Sequence, residues 1–251
     1  MIYSSLENEK IKHLKKLQTK KYRDLHKEFL IETPHLVKEA YKSGCLKKLI
    51  TNEEIDLDVD KIKVTDKVLN YLSELSSSSN VIGLCDYKKE EEVKSKVLIL
   101  EHIQDPGNLG TIIRSAVAFN IDTIILSEDC CDIYNAKVLR SSQGMLFHIN
   151  VLVRNLNKII PELKKQNYKI IGTDVISGND LKSFKNDGKF AIIMGNEGNG
   201  LTKEIKSMCD DFIYIDMNKN CESLNVAIAT SIILYELSRW FYEICLPRKN
   251  S

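Results

Sequence analysis

The stretch Ala191–Leu201, AIIMGNEGNGL, constrains the fold more than any other part of this 251-residue chain. Ala191 to Met194 form a short, wholly apolar run of the kind that makes a buried strand. The chain then turns at once into Gly195-Asn196-Glu197-Gly198-Asn199-Gly200, before Leu201 restarts an apolar pattern. Three glycines in six residues admit positive φ and a close approach of the backbone to a ligand. Glu197 places a carboxylate in the middle of that loop. In open α/β sheets, ligands bind at loops beyond the carboxyl ends of strands. A plain strand–turn–helix connection would give the same pattern. The segment is neither G-x-G-x-x-G nor a phosphate-binding P-loop, since it lacks the Lys-Ser/Thr pair.

The rest of the second half supplies a sheet for that strand. Val97–Glu101 (VLILE), Thr123–Leu126, Ile149–Val153, Tyr168–Gly172 and Phe212–Asp216 read as strands. Helical patterns lie between them. One carries Ile112, Ile113, Ala116 and Phe119, with Arg114 in its first turn or two; another crosses Leu156–Gln166; a long one runs from about Ser223 to Ile244. Strands alternating with helices imply an α/β fold whose sheet is mostly parallel and covered on both faces.

The first half alternates on a smaller scale. Over Ile2–Leu17, the apolar residues Leu6, Ile11, Leu14 and Leu17 have helical spacing, Glu28–Glu32 is strand-like, and a helix through Leu36, Val37, Ala40 and Tyr41 ends at Gly44. Leu46–Thr51 and Lys61–Thr65 read as strands, Asp66–Leu75 as a helix, Ser76–Ser79 as a polar turn and Val81–Cys85 as a strand. This suffices for a small α/β domain over residues 1–90. The charged run Lys88–Lys96, in which only Val93 is apolar, reads as a linker to a second domain over 96–251.

Composition excludes several classes. A net charge of +1 gives no global field towards nucleic acid, yet residues 1–30 hold eight Lys/Arg against four Asp/Glu. That lysine-rich start is either a solvated face or an electrostatic footprint for phosphates. MIYSSLENEK has no apolar h-region, so no signal peptide is expected. The apolar run Val226–Leu237 carries Glu236, is too short to span a bilayer and reads as a buried helix; no membrane partner is expected. Seven cysteines without C-x-x-C spacing, Cys130 and Cys131 adjacent among them, indicate reduced thiols and a cytoplasmic protein. Five scattered histidines give no metal-ligand spacing, so no metal is expected.

Three segments of the second half break from apolar patterning alike: Asp105–Arg114, Gly195–Leu201 and Glu222–Ala227. In the third, Ser223 is a suitable N-cap for the long helix, whereas Asn225 is a poor helix former. DPGNLGTIIRSA, IIMGNEGNGL and ESLNVAIA, in that order, resemble the three motifs of the SpoU (TrmH-like) RNA 2′-O-ribose methyltransferases of the SPOUT superfamily. SSLENEKIKHLKKL followed by FLIE is similar to that family's RNA-binding domain, so the resemblance covers nearly the whole chain. Ile31-Glu32-Thr33 departs from the Val-Glu-Gly frequent among relatives.

The resemblance implies a C-terminal sheet whose last segment threads a loop in a trefoil knot, an exception to the usual rule of unknotted chains. It implies S-adenosylmethionine as cofactor, a homodimer, and methylation of a ribose 2′-hydroxyl in ribosomal RNA. Transfer RNA, or a non-catalytic RNA-binding role, stands as the alternative. A dinucleotide enzyme would need G-x-G-x-x-G where DPGNLG stands. By the family pattern Gly195, Ile215 and Leu224 would contact the cofactor, with Thr173 and Met217 added from neighbouring loops. Arg114 would be the centre of catalysis. A guanidinium stays protonated and is a poor base, so Arg114 would grip the phosphate beside the target ribose. Asn108 and Asn225 would hold arginine and substrate, Glu197 would orient Arg114 through a carboxylate–guanidinium fork, and Ser223 would bond the target nucleotide. Lys15, Lys16, Lys20, Lys21 and Arg23 would bind RNA.

Overall fold

Uninterrupted apolar runs become the inner strands of a parallel sheet, and shorter amphipathic ones build a second sheet. The computed structural model describes residues 2–75, 79–175, 178–184, 188–196 and 198–245, with 239–245 as backbone. Two compact units form, Met1–Lys89 with Asp132–His148, and Glu90–Cys131 with Ile149–Ser251. Their first boundary falls inside the charged run read as a linker. Asp132–His148, expected in the second domain, clusters instead with the first unit.

The first unit contains β1 (Ile2–Tyr3), α1 (Glu9–Lys16), α2 (Lys20–His26), β2 (Glu28–Glu32), α3 (Pro34–Lys42) and β3 (Leu46–Thr51). β4 (Lys61–Val64), α4 (Asp66–Leu72) and β5 (Val81–Asp86) follow. Its sheet runs β1-β4-β3-β5-β2, with β5 antiparallel to both neighbours. The expected first helix starts later than its spacing implied, because Asn8 caps α1 by accepting from Lys10 N (3.0 Å) and residues 2–3 pair with β4. Ile11, Leu14 and Leu17 pack with Val68, Leu69 and Leu72 in one apolar cluster. Thr33, the departure noted above, holds φ at +90°, a conformation favouring glycine, while its hydroxyl faces Leu36 N at the start of α3. Ser76 to Ser78 lie outside the described residues.

The second unit contains β6 (Lys96–Leu100), α5 (Pro106–Ala118) and β7 (Thr123–Leu126); α6 (Ala136–Ser141) belongs to the first. Then come β8 (Asn150–Val153), α7 (Leu156–Lys165), β9 (Lys169–Thr173), β10 (Asn179–Asp180) and β11 (Phe190–Met194). α8 (Lys203–Met208), β12 (Asp211–Tyr214) and α9 (Val226–Cys245) complete it. The seven strands run β10-β12-β9-β11-β6-β7-β8, every pair parallel. β11 sits between β9 and β6 with all five residues buried, which is why AIIM lacks polar alternation. Val97, Ile99, Ala191 and Ile193 face α7 and α8 through Ile160, Leu163 and Ile205; the pleat turns Leu98, Leu100 and Ile192 the other way, equally buried. No helix of the described residues is long and apolar enough to cross a membrane.

Candidate functional site

The opening stretch closes on itself immediately past β11. Asn196 and Gly200 form an antiparallel bridge, with Asn196 N donating to Gly200 O (3.2 Å) and Gly200 N to Asn196 O (2.9 Å). A Cβ on Gly195 would lie 2.3 Å from the Gly200 carbonyl carbon and 2.5 Å from Leu201 N. Glycine is therefore demanded there by the loop's own backbone, and at Gly200 by a φ of +65°. The Asn196 side chain donates to His102 O (3.0 Å) and accepts from Gly198 N (2.9 Å). Glu101, buried at the end of β6, accepts from both the amide and the hydroxyl of Thr202 (3.0 and 2.7 Å). These bonds stitch the ends of the loop to the end of β6. Glu197, and with it the expected fork to Arg114, lies outside the described residues.

A cavity of about 390 Å³ opens beside this loop, and Thr173, Gly195, Ile215, Met217 and Leu224 all line it. Its apolar wall includes Leu201, Ile213 and Ile233. The Thr173 hydroxyl is spent on Ile193 O (2.9 Å), which aligns β9 against β11. Asp174 and Lys206, both lining the cavity, form an ion pair at 2.9 Å. Sequence reasoning passed over that pair. Asp174 is visible as a polar residue after a strand, whereas Lys206 stands on a six-residue helix too short to show a period.

Asn108 and Asn225 come together, Asn225 Nδ2 donating to Asn108 Oδ1 at 3.0 Å across 117 residues. The helix expected to carry Arg114 in its first turn or two begins earlier, at Pro106: Asp105 caps α5 by accepting from Asn108 N (2.9 Å), with Pro106 in its first turn. Arg114 is accordingly the ninth residue of α5, about 9 Å of axial rise beyond Asn108. It is exposed, and no hydrogen bond or ion pair of its side chain ties it to another described residue. The cap of α9 is also corrected. Asn225, not Ser223, accepts from Ala227 N (2.9 Å) and Ile228 N (3.3 Å), and the helix starts at Val226. Ser223 is exposed and lines the cavity. The apolar run in α9 is not buried all round, since Ile228, Ile232 and Tyr235 are exposed, at 53%, 39% and 52%.

Of the five expected RNA ligands, four lie on accessible faces and one does not. Lys16, Lys20 and Lys21 are exposed, and Lys15 is half-buried over the Tyr71 ring. Arg23 is 6% exposed. Its guanidinium pairs with Asp132 (2.6 Å) and donates to Leu17 O and Gln18 O, so its donors are committed to holding the first unit together. Arg23 is thereby corrected from an RNA ligand to a structural residue.

A parallel α/β unit with a cavity at the loop ends of its central strands, joined to a smaller mixed-sheet unit, is the class that fold and site define. Residues 95–235 match the model of the SpoU rRNA Methylase family, and residues 8–83 that of the MRM3-like substrate binding domain. The chain belongs to the SpoU rRNA methylase family. It is 36% identical over 241 residues to the 23S rRNA (guanosine(2553)-2′-O)-methyltransferase RlmP of Bacillus subtilis (strain 168), covering 93% of this chain and 97% of that protein. The AdoMet-bound rRNA methyltransferase from Sinorhizobium meliloti is similar in structure, with a TM-score of 0.85 at 25% identity, over 98% of this chain and 99% of that one. AviRb from Streptomyces viridochromogenes, solved with AdoMet, shares the fold at a TM-score of 0.85 and 23% identity, over 94% and 99%.

Proposed function

We propose that this chain is an S-adenosylmethionine-dependent methyltransferase acting on a ribose 2′-hydroxyl of ribosomal RNA. The observation that carries the reading is the convergence of the polar segments. Gly195 and Leu224, from two of them, line one cavity, while Asn225 of that same third segment is bonded to Asn108 of the first. The relative RlmP, matched over nearly its whole length, supports ribosomal over transfer RNA.

The cavity fits the cofactor by its chemistry. Apolar walls at Leu201, Ile213 and Ile233 suit a purine, and the Asp174–Lys206 pair offers both signs of charge to a zwitterionic amino-acid end. When bound, S-adenosylmethionine supplies a methyl group on a sulfonium. Thr173, Gly195, Ile215, Met217 and Leu224 would hold it, and its methyl would be available for transfer to the ribose oxygen, with the sulfur leaving as a neutral thioether. Arg114 grips the phosphate beside the target ribose, and that phosphate takes the hydroxyl proton, since the guanidinium cannot. Asn108 and Asn225 position the substrate through their mutual bond, and Ser223 meets the target nucleotide. Glu197 orients Arg114.

The reading extends to assembly. Ile228, Ile232 and Tyr235 recur at helical spacing on α9, which packs on α5 through Ser115 and Ser231 (2.7 Å). A second copy covering this apolar stripe forms a homodimer that completes the active site. The C-terminal segment passes through a loop of the same sheet in a trefoil knot, the first unit binds RNA, and the protein works in the cytoplasm. Arg114→Ala tests the chemistry. Methyl transfer should fall about 100-fold or more while calorimetry still records cofactor binding; near-wild-type turnover would remove Arg114 from the mechanism.

A further inference from the structure

Outside the cavity, α1 and α2 interleave cations with rings, of which His26 is exposed and Tyr22 and His13 are half-buried. Tyr22 and His26, four residues apart on α2, present ring planes only 7° from parallel with centroids 6.4 Å apart. Lys16 Nζ and Lys21 Nζ stand 5.5 and 5.9 Å from the Tyr22 ring. His13 abuts His26 edge-on at 4.6 Å, and Glu28 fixes His13 at 2.8 Å. The neighbouring carboxylates are engaged elsewhere: Asp24 by the Tyr87 hydroxyl, Glu28 by His13 and Lys47, Glu7 and Glu9 by Lys12. Among the described residues no carboxylate pairs with Lys16, Lys20 or Lys21. The patch therefore carries uncompensated positive charge around two near-parallel rings.

We propose that Tyr22 and His26 form a stacking platform for an unpaired nucleobase, with Lys16 and Lys21 taking the phosphates on either side. This deepens the RNA reading above and rests on it. A base within a duplex has both faces covered, so a platform of this kind selects single-stranded or looped RNA. Exposed cation–π contacts are weak enough for the lysines to leave the ring as the base arrives. Each lysine then trades a ring for a phosphate oxygen.

The test uses the full chain and two labelled probes of equal length, a short single-stranded oligouridylate and its abasic analogue, followed by fluorescence anisotropy. Tyr22→Ala should weaken oligouridylate binding roughly 5- to 100-fold and leave the abasic probe and the salt slope unchanged. Tyr22→Phe, which keeps the ring, should bind as wild type. The Lys16→Glu/Lys21→Glu double variant should weaken both probes and flatten the salt dependence. Unaltered thermal unfolding of Tyr22→Ala guards against a folding defect. The platform is overturned if Tyr22→Ala binds oligouridylate like wild type, if it loses both probes equally, or if Tyr22→Phe fails with it. Base-dependent binding in a protein that methylates no cellular RNA would overturn the proposed reaction and leave the platform standing. Methylation with base-independent binding would do the reverse.

Discussion

In the first unit Arg23, Glu28, Glu32 and Glu39 are all buried, each answered by a partner; in the second, among the described residues, Glu101 is the one buried charge. The first unit joins its pieces by paired side chains. Arg23 holds Asp132, Glu39 accepts from His148 (2.8 Å), and Glu32 accepts from Glu74 N (2.8 Å) and the Ser73 hydroxyl. The second unit relies on apolar strands buried on both faces and on a glycine loop whose backbone folds onto itself. The small mixed sheet fastens a distant segment, Asp132–His148, by these paired charges as well as by Tyr134 and Phe147 packed on Phe29, with ring centroids 4.5 and 6.3 Å away. A fully covered parallel sheet has apolar area to spare and keeps its polar groups for the cavity.

The contrast should break most sharply at Arg23. Arg23→Ala leaves the half-buried Asp132 without its cation and should cost about 3 kcal/mol in chemical denaturation. Cofactor affinity, which belongs to the other unit, should hold. A cost below about 1 kcal/mol would mean that apolar packing, not charge, fastens Asp132–His148.

Gly195→Ala is the counterpart in the second unit. Its Cβ meets the Gly200 carbonyl, which is backbone and cannot swing aside, so about 1–3 kcal/mol of overpacking is expected together with lost cofactor binding. Calorimetric titration of the variant with S-adenosylmethionine checks this; wild-type affinity would show that the loop does not shape the cavity.

Asn225 separates support from chemistry. Asn225→Ala removes the cap of α9 and should cost about 1 kcal/mol, while Asn225→Asp keeps a capping oxygen and loses only the donor to Asn108. Thermal unfolding should be near wild type for the aspartate and lowered for the alanine, with turnover reduced in both. Full activity in Asn225→Asp would reduce the residue to a cap.

The smallest effect is a pH dependence confined to the first unit. Hydrogen bonds from Lys42 and then His148 hold the Glu39 carboxyl at about 2, below its ordinary 4.5. A depressed carboxylate contributes stability that is fully present above 4.5 and is lost as pH falls from 4.5 towards 2. Glu39→Gln should flatten that part of the denaturation profile, and an unchanged slope would assign the acid sensitivity to other groups.

The same contrast decides what could be read in the chain. VLILE and AIIM announced themselves because full burial leaves no polar residue in a strand, and Gly195 because backbone closure admits no side chain. Arg23 looked like its lysine neighbours, since nothing local records that Asp132, 109 residues away, will neutralise it. α6 and α8, six residues each, are too short for a period to appear, so Lys206 and the packing of Asp132–His148 went unseen. The run in α9 was legible as apolar but not as one-sided, because a helix that exposes an apolar stripe has the same composition as one buried all round. Asn225 defied helix propensity for a plain reason: it precedes the helix.

The central claim is tested most directly in cells. Sites of 2′-O-methylation are compared across total RNA with and without this protein, and with Arg114→Ala in its place. The account predicts one ribosomal RNA position that loses its methyl group on deletion, regains it with the wild-type chain and stays unmethylated with Arg114→Ala. An unchanged 2′-O-methylation pattern in every ribosomal RNA would contradict it.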